Sequence, residues 1–154
     1  MLLRKSFRTL AGFGKRIEFW IIGRMLKEGL DVYLPLVDDD AVDALIRRPN
    51  GTIALVQIKA RSQDVRSGDA GLFAGITHPK KRTDYWFVFY SERMNEMWII
   101  TSNEFIRESH QNKKGKNAGS RTIWFNGTRR GIEYTKPRFE KYVAADFSRI
   151  VGKK

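Results

Sequence analysis

Residues 41–61, AVDALIRRPNGTIALVQIKAR, limit the possible folds more than any other stretch of the chain. Two apolar runs flank Pro49-Asn50-Gly51, which predicts a β-hairpin with strands at about 42–48 and 52–60. Asp43 interrupts the first run, and Gln57 and Lys59 interrupt the second. The turn decides where these polar side chains go. A two-residue Asn-Gly turn would set Asp43 against Ile58 and scatter the polar groups over both faces. A three-residue loop instead uses proline at the first turn position and glycine at the left-handed bulge position. Asp43 then opposes Gln57, with Lys59 one diagonal away on the same face. Val42, Ala44, Ile46, Val56, Ile58 and Ala60 make the other face wholly apolar. The second register is preferred because it gathers what the first scatters. The plainer explanation of the trio is a buried Asp43–Lys59 ion pair with Gln57 as filler. Buried ion pairs are poor sources of stability, which favours site chemistry.

The flanking segments supply the rest of the fold. Residues 14–29 read as an amphipathic helix ended by Gly29. DVYLPLV (31–37) reads as a short strand, with Pro35 marking an edge or an end. Residues 61–83, rich in glycine, read as a loop. DYWFVFYS (84–91) and EMWIIT (96–101) form a further strand pair, and Thr101 with Glu104 is a capping box that opens a helix. RTIWF (121–125) reads as one more strand. Phe139, Tyr142, Val143, Phe147 and Ile150 at helical spacing predict a continuous terminal helix. The order predicts a mixed α/β protein, a central mixed β-sheet flanked by helices. It forms a single domain over 1–154, with basic loops near 61–83 and 110–120.

The first helix holds a second misplaced polar group. At 100° per residue, Ile21, Ile22, Met25 and Leu26 all fall within about 80° of Glu18. A carboxylate facing a core must be paired, hydrogen-bonded or bound to a metal. The plainer outcome is a Glu18 that swings aside to cap the helix or to meet Lys15. Trp20 lies on the polar side of this helix, where an exposed tryptophan would mark a protein interface.

Charge narrows the class of partner. The chain carries 29 Lys and Arg against 17 acids, a net +12, which favours polyanions and above all nucleic acid. An RNA-associated protein would account for the charge but leaves Glu18 unexplained. There is no cysteine, which excludes disulfides, thiolate catalysis and Cys-based zinc sites and fits a reducing cytoplasm. No apolar run is long enough for a membrane span, and the first residues lack a secretory h-region. His78 and His110 are too few and too far apart in sequence to suggest a metal site.

Taken together, Glu18 on a helix, Asp43, and Gln57-Ile58-Lys59 on the strands of one hairpin resemble the PD-(D/E)xK nuclease superfamily. The resemblance covers about residues 14–62 and is strongest to the Holliday-junction-resolvase and restriction-fold homing-endonuclease branch. It implies a restriction-endonuclease-like fold and Mg²⁺-dependent phosphodiester hydrolysis, with Mn²⁺ as a substitute. By the same resemblance Asp43 ligates the metal, helped by the Gln57 side-chain oxygen and the Ile58 main-chain carbonyl. Glu18 holds a metal-bound water or a second ion, and Lys59 orients the attacking water or stabilises charge on the phosphate. It further implies duplex or branched DNA as partner and a homo-oligomer, dimer or tetramer. The family more often has Glu or Asp where Gln57 stands, and the neutral amide lowers the expected metal affinity. A catalytically inactive nucleic-acid-binding module of the same fold is the alternative. Asp38, Asp39 and Asp40 read as solvated turn acids, although Asp39 shares the strand parity of Asp43. Three basic runs are candidate phosphate contacts: Lys80-Lys81-Arg82, Lys113 with Lys114 and Lys116, and Arg129-Arg130.

Overall fold

The hairpin forms in the register of the three-residue turn. In the computed structural model, which describes residues 9–152, β2 (Ala44–Arg47) pairs antiparallel with β3 (Ile53–Arg61). Leu45 faces Leu55 and Ile46 faces Ala54. Gly51 donates to Arg48 O at 2.9 Å and sits at φ +85°, a backbone region that glycine enters without a Cβ penalty. Before it, α1 (Leu10–Lys27) starts at Thr9, whose side chain accepts from Gly12 N. The helix ends in a Schellman turn: Gly29 N donates to Leu26 O and Leu30 N to Met25 O, each at 3.0 Å. The next strand, β1 (Asp31–Tyr33), is shorter than the predicted 31–37 because the chain leaves the sheet before Pro35.

β5 (Tyr85–Ser91) lies parallel to β3, and β6 (Glu96–Thr101) returns antiparallel to β5. The result is a mixed five-stranded sheet in the order β1-β2-β3-β5-β6. One face is covered by Ile21, Ile22 and Met25 of α1, which meet Val56, Ile58, Val88 and Ile99. Against the other pack α2 (Ser102–Glu108) and a three-stranded sheet of β4 (Leu72–Ile76), β8 (Arg121–Trp124) and β7 (His110–Gln111). This second core is aromatic: Phe87, Phe89 and Trp98 of the main sheet meet Phe73, Phe105 and Phe125. Trp98 and Phe125 stack with centroids 4.6 Å apart.

Three elements depart from the sequence expectation. The glycine-rich 61–83 segment contains β4. The basic TRRG run is the tip of a two-stranded ribbon, β9 (Asn126–Arg129) and β10 (Ile132–Thr135). Its turn residues Arg130 and Gly131 both have positive φ, as a type I′ hairpin requires. The terminal helix is not continuous. A 3-10 helix (Pro137–Tyr142) is separated from α3 (Ser148–Val151) by an extended stretch. In that stretch Val143 bridges to Trp98, and Ala144 N donates to Met97 O at 2.9 Å. The apolar residues at helical spacing serve two cores, Phe139 and Tyr142 in one and Phe147 and Ile150 in the other. The chain therefore rounds the edge of β6, which one straight helix could not do.

Candidate active site

The site forms where β2 stops and β3 continues. Asp43 N donates to Val56 O at 2.8 Å, although Val56 is already paired with Ala44. Two residues thus face one, a bulge-like end to the ladder that re-aims Asp43. Asp43 does not lie opposite Gln57 as a ladder pair, because the ladder has ended. Its Oδ2 accepts instead from Ile58 N at 2.7 Å, taking the place that the next β2 residue would fill. N–H and C=O of one strand residue point the same way, so the Ile58 carbonyl faces this gap as well.

The charges around Asp43 are mostly of its own sign. Burial raises its carboxyl from 3.8 to about 6, against the pull of the Ile58 N–H. The negative charges of Glu18 and Asp38 contribute to that rise, and Lys59 opposes it. Glu18 and Lys59, drawn from α1 and β3, thus both act on this one carboxylate. The Glu18 side chain is 17% exposed and its Oε1 lies 3.2 Å from Lys15 Nζ. The swing toward Lys15 occurs, and Glu18 still acts on Asp43. Lys59 is half-buried and makes no hydrogen bond or ion pair with another described residue. No Asp43–Lys59 bridge closes the site.

Gln57 meets a residue that the sequence reading passed over. The Tyr85 hydroxyl touches two oxygens, the main-chain carbonyl of Ala41 and Gln57 Oε1, the latter at 3.1 Å. The Tyr85 ring is buried, stacks on His78 at 5.3 Å and carries the Arg82 guanidinium at 4.2 Å. Burial holds its hydroxyl protonated well above the usual phenol range. Arg82 also binds Asp40, donating to Oδ2 at 2.7 Å and to the main-chain oxygen at 2.8 Å. It is tied to the acidic loop beside the site rather than presented freely. The signal for Tyr85 was its strand parity, which puts it on the Gln57 face of the sheet.

The donors here are all oxygens: two carboxylates, one amide and one main-chain carbonyl. That set suits a hard divalent cation, and a carboxylate raised by burial, with like charges adding to it, is one that a cation would relieve. No group of three or more His, Cys, Asp or Glu among the described residues could hold a metal. The amide and the carbonyl would have to complete the shell. Lys80, Lys81, Lys113, Lys114, Lys116, Arg129 and Arg130 are all exposed and lack ion pairs among the described residues. Trp20 is 44% exposed, with its ring against Tyr90 and under Arg24. No helix among the described residues is long and apolar enough to cross a membrane.

This mixed α/β fold is similar to that of a nuclease of known structure. That structure is the bacterial homing endonuclease I-Ssp6803I. It is similar to this chain with a TM-score of 0.56, over 84% of this chain and 85% of that one, at 21% identity. No family model and no curated protein sequence matches the chain.

Proposed function

We propose that the protein is a metal-dependent DNA endonuclease of the PD-(D/E)xK type, of homing, restriction or junction-resolving kind. The observation that carries this reading is Asp43, bound by Ile58 N at the open end of the β2–β3 ladder next to Gln57, with the charges of Glu18 and Lys59 both acting on it. The likeness in fold to a homing endonuclease and the net +12 support it. Asp43, Gln57, the Ile58 carbonyl and Glu18 would hold Mg²⁺, or Mn²⁺ in its place. The ion, when bound, polarises a phosphoryl oxygen and lowers the pKa of water. Lys59, uncommitted to a partner among the described residues, orients the attacking water or donates to charge growing on the phosphate. Above about pH 6 Asp43 is ionised and ready to bind. The exposed cations Lys80, Lys81, Lys113, Lys114, Lys116, Arg129 and Arg130 take the phosphates of duplex or branched DNA. Cutting two strands calls for two such sites, hence a dimer or tetramer.

The test is incubation with Mg²⁺ or Mn²⁺ and supercoiled, linear and four-way-junction DNA. Cleavage that Lys59→Ala removes is expected; no cleavage, or an equally active Lys59→Ala, overturns the reading. Gln57 in place of an acid favours one other reading, a nuclease fold that binds nucleic acid without cutting it. Calorimetry separates the two, since that module takes up no Mg²⁺ dependent on Asp43.

A further inference from the structure

Tyr85 has one proton and two oxygens to serve. A main-chain carbonyl can only accept, and a phenol gives its proton to one acceptor. With Ala41 O and Gln57 Oε1 both against the hydroxyl, one contact lacks a hydrogen. A glutamine amide has two ends of nearly the same shape, and only one of them donates. We propose that Gln57 gives an Nε2 hydrogen to the Tyr85 oxygen while Tyr85 gives its own to Ala41, so that the Gln57 oxygen faces the metal site. Tyr85 is then the positioning residue of the site. This rests on the divalent-cation reading given above.

The relay explains why an amide works at this position. An amide turned the other way would aim hydrogens at a cation. Tyr85 removes that choice, because only the Nε2 end completes the relay from Gln57 to Tyr85 to Ala41. A glutamate has no hydrogen to give and would compete with Ala41 for the phenol proton. The competition matters because Ala41 sits at φ +52°, a left-handed backbone uncommon for alanine, two residues before Asp43. One hydroxyl therefore steadies Gln57 directly and the approach to Asp43 through Ala41. Its ring is held in turn. His78 Nε2 lies 2.6 Å from Ser102 Oγ, which also accepts from Arg82 N at 2.9 Å.

A double-mutant cycle in Mg²⁺ affinity, read by calorimetry on the full chain, tests the assignment. Tyr85→Phe keeps the buried ring and removes the hydroxyl. A carboxylate offers two equivalent oxygens, so its orientation needs no partner. Tyr85→Phe is therefore expected to weaken Mg²⁺ binding about tenfold more in the Gln57 protein than in Gln57→Glu, the weight of one hydrogen bond. Equal weakening in both backgrounds overturns the proposal. If the wild-type protein takes up no Mg²⁺, the metal reading fails by itself, and the relay is decided in metal-free protein. There, Tyr85→Phe is expected to move one Gln57 side-chain amide proton upfield and speed its exchange with water, with Gln63 and Gln111 unchanged. Gln57 amide protons indifferent to Tyr85→Phe overturn it.

Discussion

Asp43 and Glu104 are both partly buried carboxylates at ends of the same sheet, and their surroundings are opposite. Burial works to raise the pKa of each. At Glu104 the Arg149 guanidinium donates to both oxygens, at 2.8 and 2.5 Å, and Thr101 N donates at 2.8 Å. Together they bring Glu104 below the usual carboxylate value. Asp43 has one main-chain N–H and two acidic neighbours, and it ends near 6. The first carboxylate is a fastener, closing the start of α2 onto α3. The second is left short of positive charge. One acid is satisfied in full and the other is left poor in partners, which is the contrast that the proposed metal site needs.

The comparison can be broken most sharply at Lys59. Lys59→Ala should cost at least about a hundredfold in Mg²⁺-supported DNA cleavage while thermal unfolding stays near wild type. A large fall in melting temperature would make Lys59 a structural cation and the two carboxylates alike. Next in size, Arg149→Met should destabilise the fold by about 2 kcal/mol in urea titration, because Glu104 is left buried with one partner fewer. Its effect is pH-dependent. The folded pKa of Glu104 is depressed, so the pair's contribution is full above the ordinary carboxylate range. It is lost as pH falls through the folded value.

Asp43→Asn should do the reverse, stabilising the protein by about 1 kcal/mol at pH 7 as it abolishes cleavage. Asparagine keeps an oxygen for Ile58 N and removes the buried charge. Here the folded pKa is raised, so wild type gains stability as pH falls from about 6 toward 3.8, and the advantage of asparagine shrinks over that window. A destabilised Asp43→Asn at pH 7 would mean that Asp43 is as well served as Glu104. The smallest effect belongs to charges outside both clusters. Arg129→Ala or Arg130→Ala should each weaken DNA binding severalfold and flatten the salt dependence by about one unit of slope, with unfolding unchanged.

The hairpin register was legible because a Pro-Asn-Gly turn and a period of two leave one arrangement that gathers the polar residues. The capping box at Thr101 and Glu104 was equally plain, both of its bonds being local. Other features depended on contacts distant in sequence. The 138–151 stretch has helical spacing, but pairing of Val143 and Ala144 along β6 overrides it. The β9–β10 ribbon was hidden by its charges, since Arg129-Arg130 reads as a solvated loop until Arg130-Gly131 is seen as a turn. The step of Asp43 out of the ladder was hidden, because a bulge leaves no trace in alternation. Tyr85 was invisible as a polar group in an aromatic strand, because its hydroxyl's partners, Ala41 and Gln57, lie 44 and 28 positions away.

The passage of residues 143–144 along β6 has a consequence for how copies of this protein can meet. Of the two margins of the five-stranded sheet, β6 already wears a neighbouring stretch of its own chain. The opposite margin is β1, three residues long, with Arg47 and Asp31 locked at 2.6 Å beside it. Short, charged borders discourage a foreign strand from docking. Copies that associate are thus steered away from lengthening the five-stranded sheet, and the backbone of the β2–β3 hairpin inside it is left undisturbed by such pairing.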